Sequence, residues 1–177
     1  GQRLFSAQCC ENCDKKDCRT VTKPLKEDFI IRIKSRIDQP AEPEGKPEYV
    51  ELMTRGSLTR RGDSYYITYR ETETTGYEGC VTTLKLAENG SRVALLRFGQ
   101  ANTQLLIEKG RRNLCHYETG YGSVTLGVTA DELHCDLTEE GGCARFSYLL
   151  DADSAELVSR NQLEVTVTAV NKTQNDE

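Results

Sequence analysis

The stretch 63-DSYYITYRETET-74 alternates without a break. Tyr65, Ile67, Tyr69, Glu71 and Glu73 share one face, while Tyr66, Thr68, Arg70 and Thr72 share the other. A period of two marks a strand, because successive side chains leave a pleated backbone on opposite sides. The face that begins with tyrosine and isoleucine ends in two carboxylates, which suggests the interior of a barrel with a polar spot.

Working outward, the neighbouring segments repeat the pattern. Between Asp28 and Asp38, Phe29, Ile31, Ile33, Ser35 and Ile37 alternate with Ile30, Arg32, Lys34 and Arg36, as in a half-buried antiparallel strand. The proline-rich segment 39-QPAEPEGKP-47 reads as a loop. A strand over Glu48–Leu58 turns Val50, Leu52 and Thr54 inward, and Arg60 to Asp63 make a turn into the opening stretch. Further strands are expected at Cys80–Leu86, Arg92–Gly99, Gln104–Lys109, Asn113–Thr119, Ser123–Thr129, Leu133–Leu137, Ala144–Leu150 and Gln162–Val170. Asn89-Gly90 is a hairpin signal, since both residues tolerate positive φ. Asp151–Arg160 reads as a polar connection with room for one helical turn. Strands and turns at regular spacing with no long helix argue an antiparallel sandwich or barrel. Long alternating strands without edge prolines favour closure. The fold expected is all-β, a single antiparallel up-and-down barrel of about eight to ten strands.

At 177 residues the chain holds one domain plus tails. It divides into a cysteine-bearing leader (1–27), the barrel (28–170) and a polar tail (171–177). A domain of this size buries roughly 70% of its unfolded surface and needs no staples. Its net charge of −5 works against a nucleic-acid partner, because phosphate binding rests on lysine and arginine. No apolar run approaches the length of a membrane helix, so no membrane partner is expected. The eight cysteines are unevenly spread, four of them within Cys9–Cys18, unlike a disulfide-stapled secreted scaffold. A reduced, cytoplasmic protein is expected; the alternative is an exported one whose signal peptide was removed before Gly1.

Several residues together resemble a family. Thr54-x-Gly56, Tyr66-Ile-x-Tyr69-x-Glu71-x-Glu73, Arg97-x-Gly99, Tyr117-x-Thr119-x-x-Gly122, Thr129 and Tyr148 are similar to the pattern of the YwiB-like proteins. These are uncharacterised bacterial proteins of calycin-like β-barrel fold. The resemblance spans roughly Asp28 to Val170 and implies an up-and-down barrel shaped like lipocalins and fatty-acid-binding proteins. It implies no activity, and the leader lies outside it.

Chemistry has two candidate places. Arg97 falls in step with Val93 and Leu95, so it should face inward, where a buried guanidinium needs a partner. Glu71 is the natural one, with fork geometry. With Tyr69, Tyr117 and Thr119 they form a candidate ligand site, where Arg97 and the tyrosines hold the polar head of a small, partly apolar molecule. The competing reading is an ion pair that closes one barrel end and serves registry alone. The second place is Cys9, Cys10, Cys13 and Cys18, candidate zinc ligands if four thiolates gather around one ion, with His116 or His134 completing the site if the leader folds back. All four lie within ten residues, and no second pair follows at zinc-site spacing, which favours a metal-free tail.

Catalysis is not expected. No nucleophile elbow, zinc-protease helix or phosphate loop is present, and His116 and His134 alternate outward. Glu71 and Glu73, two apart on one strand, stand about 7 Å apart at the backbone, within an inverting glycosidase's geometry, but a polar barrel mouth explains them as well. Asn89-Gly90-Ser91 and Asn171-Lys172-Thr173 match the glycosylation sequon, without consequence in a bacterial cytoplasm. Function therefore stands between a small-ligand-binding barrel, a structural or regulatory protein with a packed core, and, last, an enzyme using Glu71 and Glu73. An interior cavity separates the first two, since small barrels can be filled by their own side chains.

Overall fold

A computed structural model describes residues 26–40, 45–119, 122–153 and 156–170. Ten strands follow one another among them: β1 (Phe29–Asp38), β2 (Glu48–Arg61), β3 (Ser64–Arg70), β4 (Val81–Ala87), β5 (Arg92–Phe98), β6 (Thr103–Glu108), β7 (Arg112–Thr119), β8 (Gly122–Thr138), β9 (Gly141–Asp153) and β10 (Glu156–Ala169). Each pairs antiparallel with its chain neighbours, and β1 pairs with β10 to close the barrel. The closing ladder runs from Phe29↔Ala169 to Asp38↔Arg160, so no long edge is left open there.

Alternation sorts the barrel as the sequence predicts. Ile31, Ile33, Leu52, Ile67, Leu84, Leu105, Ile107, Val128, Phe146 and Val165 are buried inside, while Arg32, Lys34, Glu51 and Arg55 face out. Gly56 sits where β2 runs close to both neighbours. A Cβ there would collide with the Thr68 carbonyl oxygen and the Ile31 side chain, so this position excludes any larger residue.

Three expectations need correction. The opening strand ends at Arg70, and Glu73 sits in a 3-10 turn over Glu73–Thr75, exposed. Glu71 and Glu73 are therefore not two inward positions of one strand. Ser123–Thr129 and Leu133–Leu137 are one strand, β8, interrupted by a bulge between Ala130 and Glu132. One extra residue there, Asp131, shifts the alternation and imitates a break. Asp151–Arg160 is not a connection with a helical turn, since β9 reaches Asp153 and β10 starts at Glu156. Its inward residues Ser159 and Asn161 are buried, and Asn161 donates to the Ser159 hydroxyl at 2.9 Å. Polar groups satisfied inside a barrel look like a loop in the sequence. The hairpin signalled by Asn89-Gly90 forms between β4 and β5, its four-residue link carrying positive φ at Gly90, 70°. Gly90 tucks against the backbone of Leu133 and Cys135 across the barrel end.

One seam is thin. β6 and β7 share a single ladder pair, Thr103↔Tyr117, apart from the bridge Glu108↔Arg111 at their hairpin. Between them the Asn113 side chain donates to the Leu106 carbonyl at 3.0 Å, a side chain standing in for ladder bonds. Because β1 runs from Phe29 at one end to Asp38 at the other, the chain enters the barrel at the end opposite Arg70, Phe98 and Thr103.

Candidate functional site

The polar cluster forms where β3, β4, β5, β6 and β7 reach one mouth of the barrel. Register places Thr82 opposite Tyr69 and Arg97, and Thr103 opposite Arg97 and Tyr117. Directly opposed residues on neighbouring strands share a face, so all of these turn inward together. Glu71 has just left β3, but its N–H donates to the Cys80 carbonyl at 2.8 Å, which ties the 71–80 connection across its own base.

Arg97 and Glu71 meet as the sequence predicts. Arg97 Nη2 lies 3.2 Å and Nε 3.4 Å from Glu71 Oε1, with the Glu71 side chain 1% exposed. Thr82 donates its hydroxyl to the same oxygen at 2.7 Å and accepts from Arg97 Nε at 3.3 Å. Thr75, in the 3-10 turn, donates to Oε2 at 2.8 Å. The carboxylate is thus satisfied on both oxygens, as a buried charge must be. The guanidinium also lies over the Tyr77 ring, 3.8 Å from its centroid, a stacked cation–π contact. Nη1 is left without a hydrogen bond among the described residues.

Burial governs the titration of the site. It pushes the Tyr69 phenol far above its ordinary value, and the Glu71 carboxylate adds to the rise. Tyr117 is pushed up to about 12 by burial first and then by Tyr77, and Tyr148 rises above its ordinary value mainly by burial. For Arg97, burial alone would lower the value, yet Glu71 and the phenols around it hold it above the ordinary one. The site is one ion pair ringed by phenols.

These groups face a cavity of about 150 Å³ inside the mouth. Tyr69, Glu71, Tyr77, Arg97, Tyr117 and Tyr148 supply its polar wall; Ile33, Ile37, Leu52, Leu95 and Leu105 supply an apolar one. Tyr77, Tyr148, Asn161 and Thr75 were not among the residues the sequence singles out for the site. Thr103, also missed, is 3% exposed, and its hydroxyl has no hydrogen-bond partner among the described residues. Of the predicted site residues, Tyr69, Glu71, Arg97 and Tyr117 come together, while the side chain of Thr119 lies outside the described residues. So do Cys9, Cys10, Cys13 and Cys18. His116 and His134 are exposed, and no group of metal-ligating side chains gathers among the described residues.

A larger groove of about 480 Å³ crosses the outer face, lined by Lys34, Arg36, Tyr49, Asp131, Arg145 and Glu164 among others. Its charges face solvent, where ion contacts contribute little. The interior cavity is smaller and holds the desolvated pair.

Comparison with known proteins follows the fold. A model of the family described as "Domain of unknown function (DUF1934)" matches residues 31–165. The ywiB protein from Bacillus subtilis, known from a crystal structure, is similar with 19% sequence identity and a TM-score of 0.61. The match covers 83% of this chain and 96% of that one. At this identity the likeness carries the fold alone. No match is found among curated proteins.

Proposed function

Since the chain belongs to the DUF1934 family, whose description assigns no activity, we propose from its geometry that it is a small-ligand-binding barrel. The observation that carries this is the cavity of about 150 Å³ on which Arg97 and four buried or half-buried tyrosines converge opposite an apolar wall. A ligand's polar head would meet Arg97 Nη1 and the Tyr117 and Tyr148 hydroxyls, and its body would lie against Ile33, Leu52 and Leu105. A liquid water occupies about 30 Å³, so the space takes a molecule of about five to eight non-hydrogen atoms. Drug-sized pockets run from about 300 Å³ upward, so a long acyl chain is too large.

The chain acts in this account without catalysis. Glu73 is exposed on its turn while Glu71 is buried and saturated, so the two carboxylates do not flank one substrate bond. The described cysteines, Cys80, Cys115, Cys135 and Cys143, are all unpaired, which supports a reducing compartment. The outward charges Arg32, Lys34, Glu51 and Arg55 run against the apolar outer band of a membrane barrel. No helix of the described residues is long and apolar enough to cross a membrane.

A second reading has one observation in its favour: Glu71 is fully satisfied within the protein, as in a pair that serves registry alone. Thermal unfolding in a library of compact small molecules separates the two. A binder raises Tm with its concentration, and Tyr117→Phe reduces that rise. A ligand-free barrel shows no shift with any compound.

A further inference from the structure

The distribution of donors, acceptors and charge around the cavity goes beyond binding as such and points to one chemistry of ligand; this rests on the binding proposal above. Three observations bear on it.

The first is the hydrogen-bond balance. Glu71, the one carboxylate on the cavity wall, already accepts from Thr75, Thr82 and Arg97. What remains unused beside that carboxylate is the donor capacity of the guanidinium. Arg97 Nη1 has no hydrogen-bond partner among the described residues, and the Tyr148 phenol lines the same cavity, while the Tyr117 phenol bonds to Tyr77 on the wall. A guest that presents an acceptor meets the Arg97 guanidinium and the phenols on this wall.

The second is charge. Arg97 and Glu71 cancel, and no other charged side chain lines the cavity. An anion inside would leave one uncompensated charge in a desolvated site, and a cation would stand beside Arg97; both are costly. The 71–80 connection at the mouth carries exposed Glu73 and Glu78 and no cation of its own. The third is the apolar wall of Ile33, Ile37, Leu52, Leu95 and Leu105, which takes hydrocarbon.

We propose that the cavity selects a compact, uncharged molecule that carries a carbonyl-type oxygen on a hydrocarbon body. The oxygen accepts from Arg97 and the tyrosine hydroxyls, and the body packs on the aliphatic wall.

The test is a 1H–15N NMR titration of the full chain with four probes of one ring size: cyclopentanone, cyclopentanecarboxylate, cyclopentylammonium and methylcyclopentane. The expected result is saturable shifts at Arg97, Leu105, Tyr117 and Tyr148 with cyclopentanone, and binding at least tenfold weaker for the other three. Tyr117→Phe and Tyr148→Phe keep the rings and the fold, and each weakens the ketone severalfold while leaving methylcyclopentane unaffected. If the carboxylate or ammonium binds the same residues as tightly as the ketone, the neutral-ligand inference is overturned and the binding barrel stands. If methylcyclopentane binds as tightly, the acceptor requirement is overturned in the same way. If no probe gives saturable shifts inside the mouth, both proposals fail.

Discussion

Arg97 Nη2 stands 3.2 Å from Glu71 Oε1 across 26 positions of sequence, on a carboxylate side chain that is 1% exposed. Attraction between them has to offset the desolvation of two charges, so the pair is worth little net; either partner alone is the expensive state. Arg97→Met should destabilise the barrel by about 3 kcal/mol, because Glu71 then stays buried without its cation. Adding Glu71→Gln should recover part of that loss, so the double variant costs clearly less than the sum of the singles. Urea unfolding of the four proteins measures the coupling.

Alkaline stability follows from the phenols. Tyr117 has its folded-state value pushed up to about 12 from an ordinary 10.0, chiefly by burial. A folded-state value raised above the unfolded one contributes stability that is complete below pH 10 and is lost as pH rises toward about 12. Two units correspond to about 2–3 kcal/mol. Tyr69 and Tyr148 move in the same direction and steepen the loss. Ultraviolet titration should show these phenols ionising only as the protein unfolds, and Tyr117→Phe should flatten the decline in unfolding free energy above pH 10.

Thr103 yields a prediction of opposite sign. Its hydroxyl is buried and has no partner among the described residues, so the empty protein carries the desolvation cost of an unmade hydrogen bond. Thr103→Val keeps the shape and removes that group. Calorimetry should find the variant more stable by about 1 kcal/mol; equal or lower stability would mean the hydroxyl is satisfied in solution.

The thin seam sets where the barrel opens first. β6 and β7 share one ladder pair, whereas β1 and β10 are paired along the whole of β1. Amide exchange should therefore be fastest at Gln104, Leu106 and Leu114 within the strands and slowest at Ile31, Ile33 and Val165. Uniform protection around the barrel would contradict this order.

Much of the architecture was legible because a period of two reports burial directly. Phe29 to Ile37, Thr82 to Leu86 and Leu163 to Val167 face as their alternation predicts, and the YwiB-like resemblance carried the closed antiparallel barrel. The Arg97–Glu71 pair was legible by the same parity, since each residue continues an inward series. What parity cannot give is which inward residues stand opposite one another. Thr82 and Tyr148 lay on predicted strands and Thr103 one residue before one, yet their place beside Arg97 depends on register around a closed barrel. Where the interior is polar, as at Ser159 and Asn161, or where Asp131 inserts an extra residue, the signal itself disappears. Glu73 misled for the opposite reason: the alternation runs on for three residues after the strand has ended.

The most direct test is a crystal structure of the protein soaked in a mixture of compact neutral and charged probes. A binding barrel predicts density for a probe within the mouth, its polar atom within hydrogen-bond distance of Arg97 or Tyr117 and its body against Leu52 and Leu105. Probes bound only in the outer groove between Lys34 and Arg145, with the interior closed by its own side chains, would contradict it.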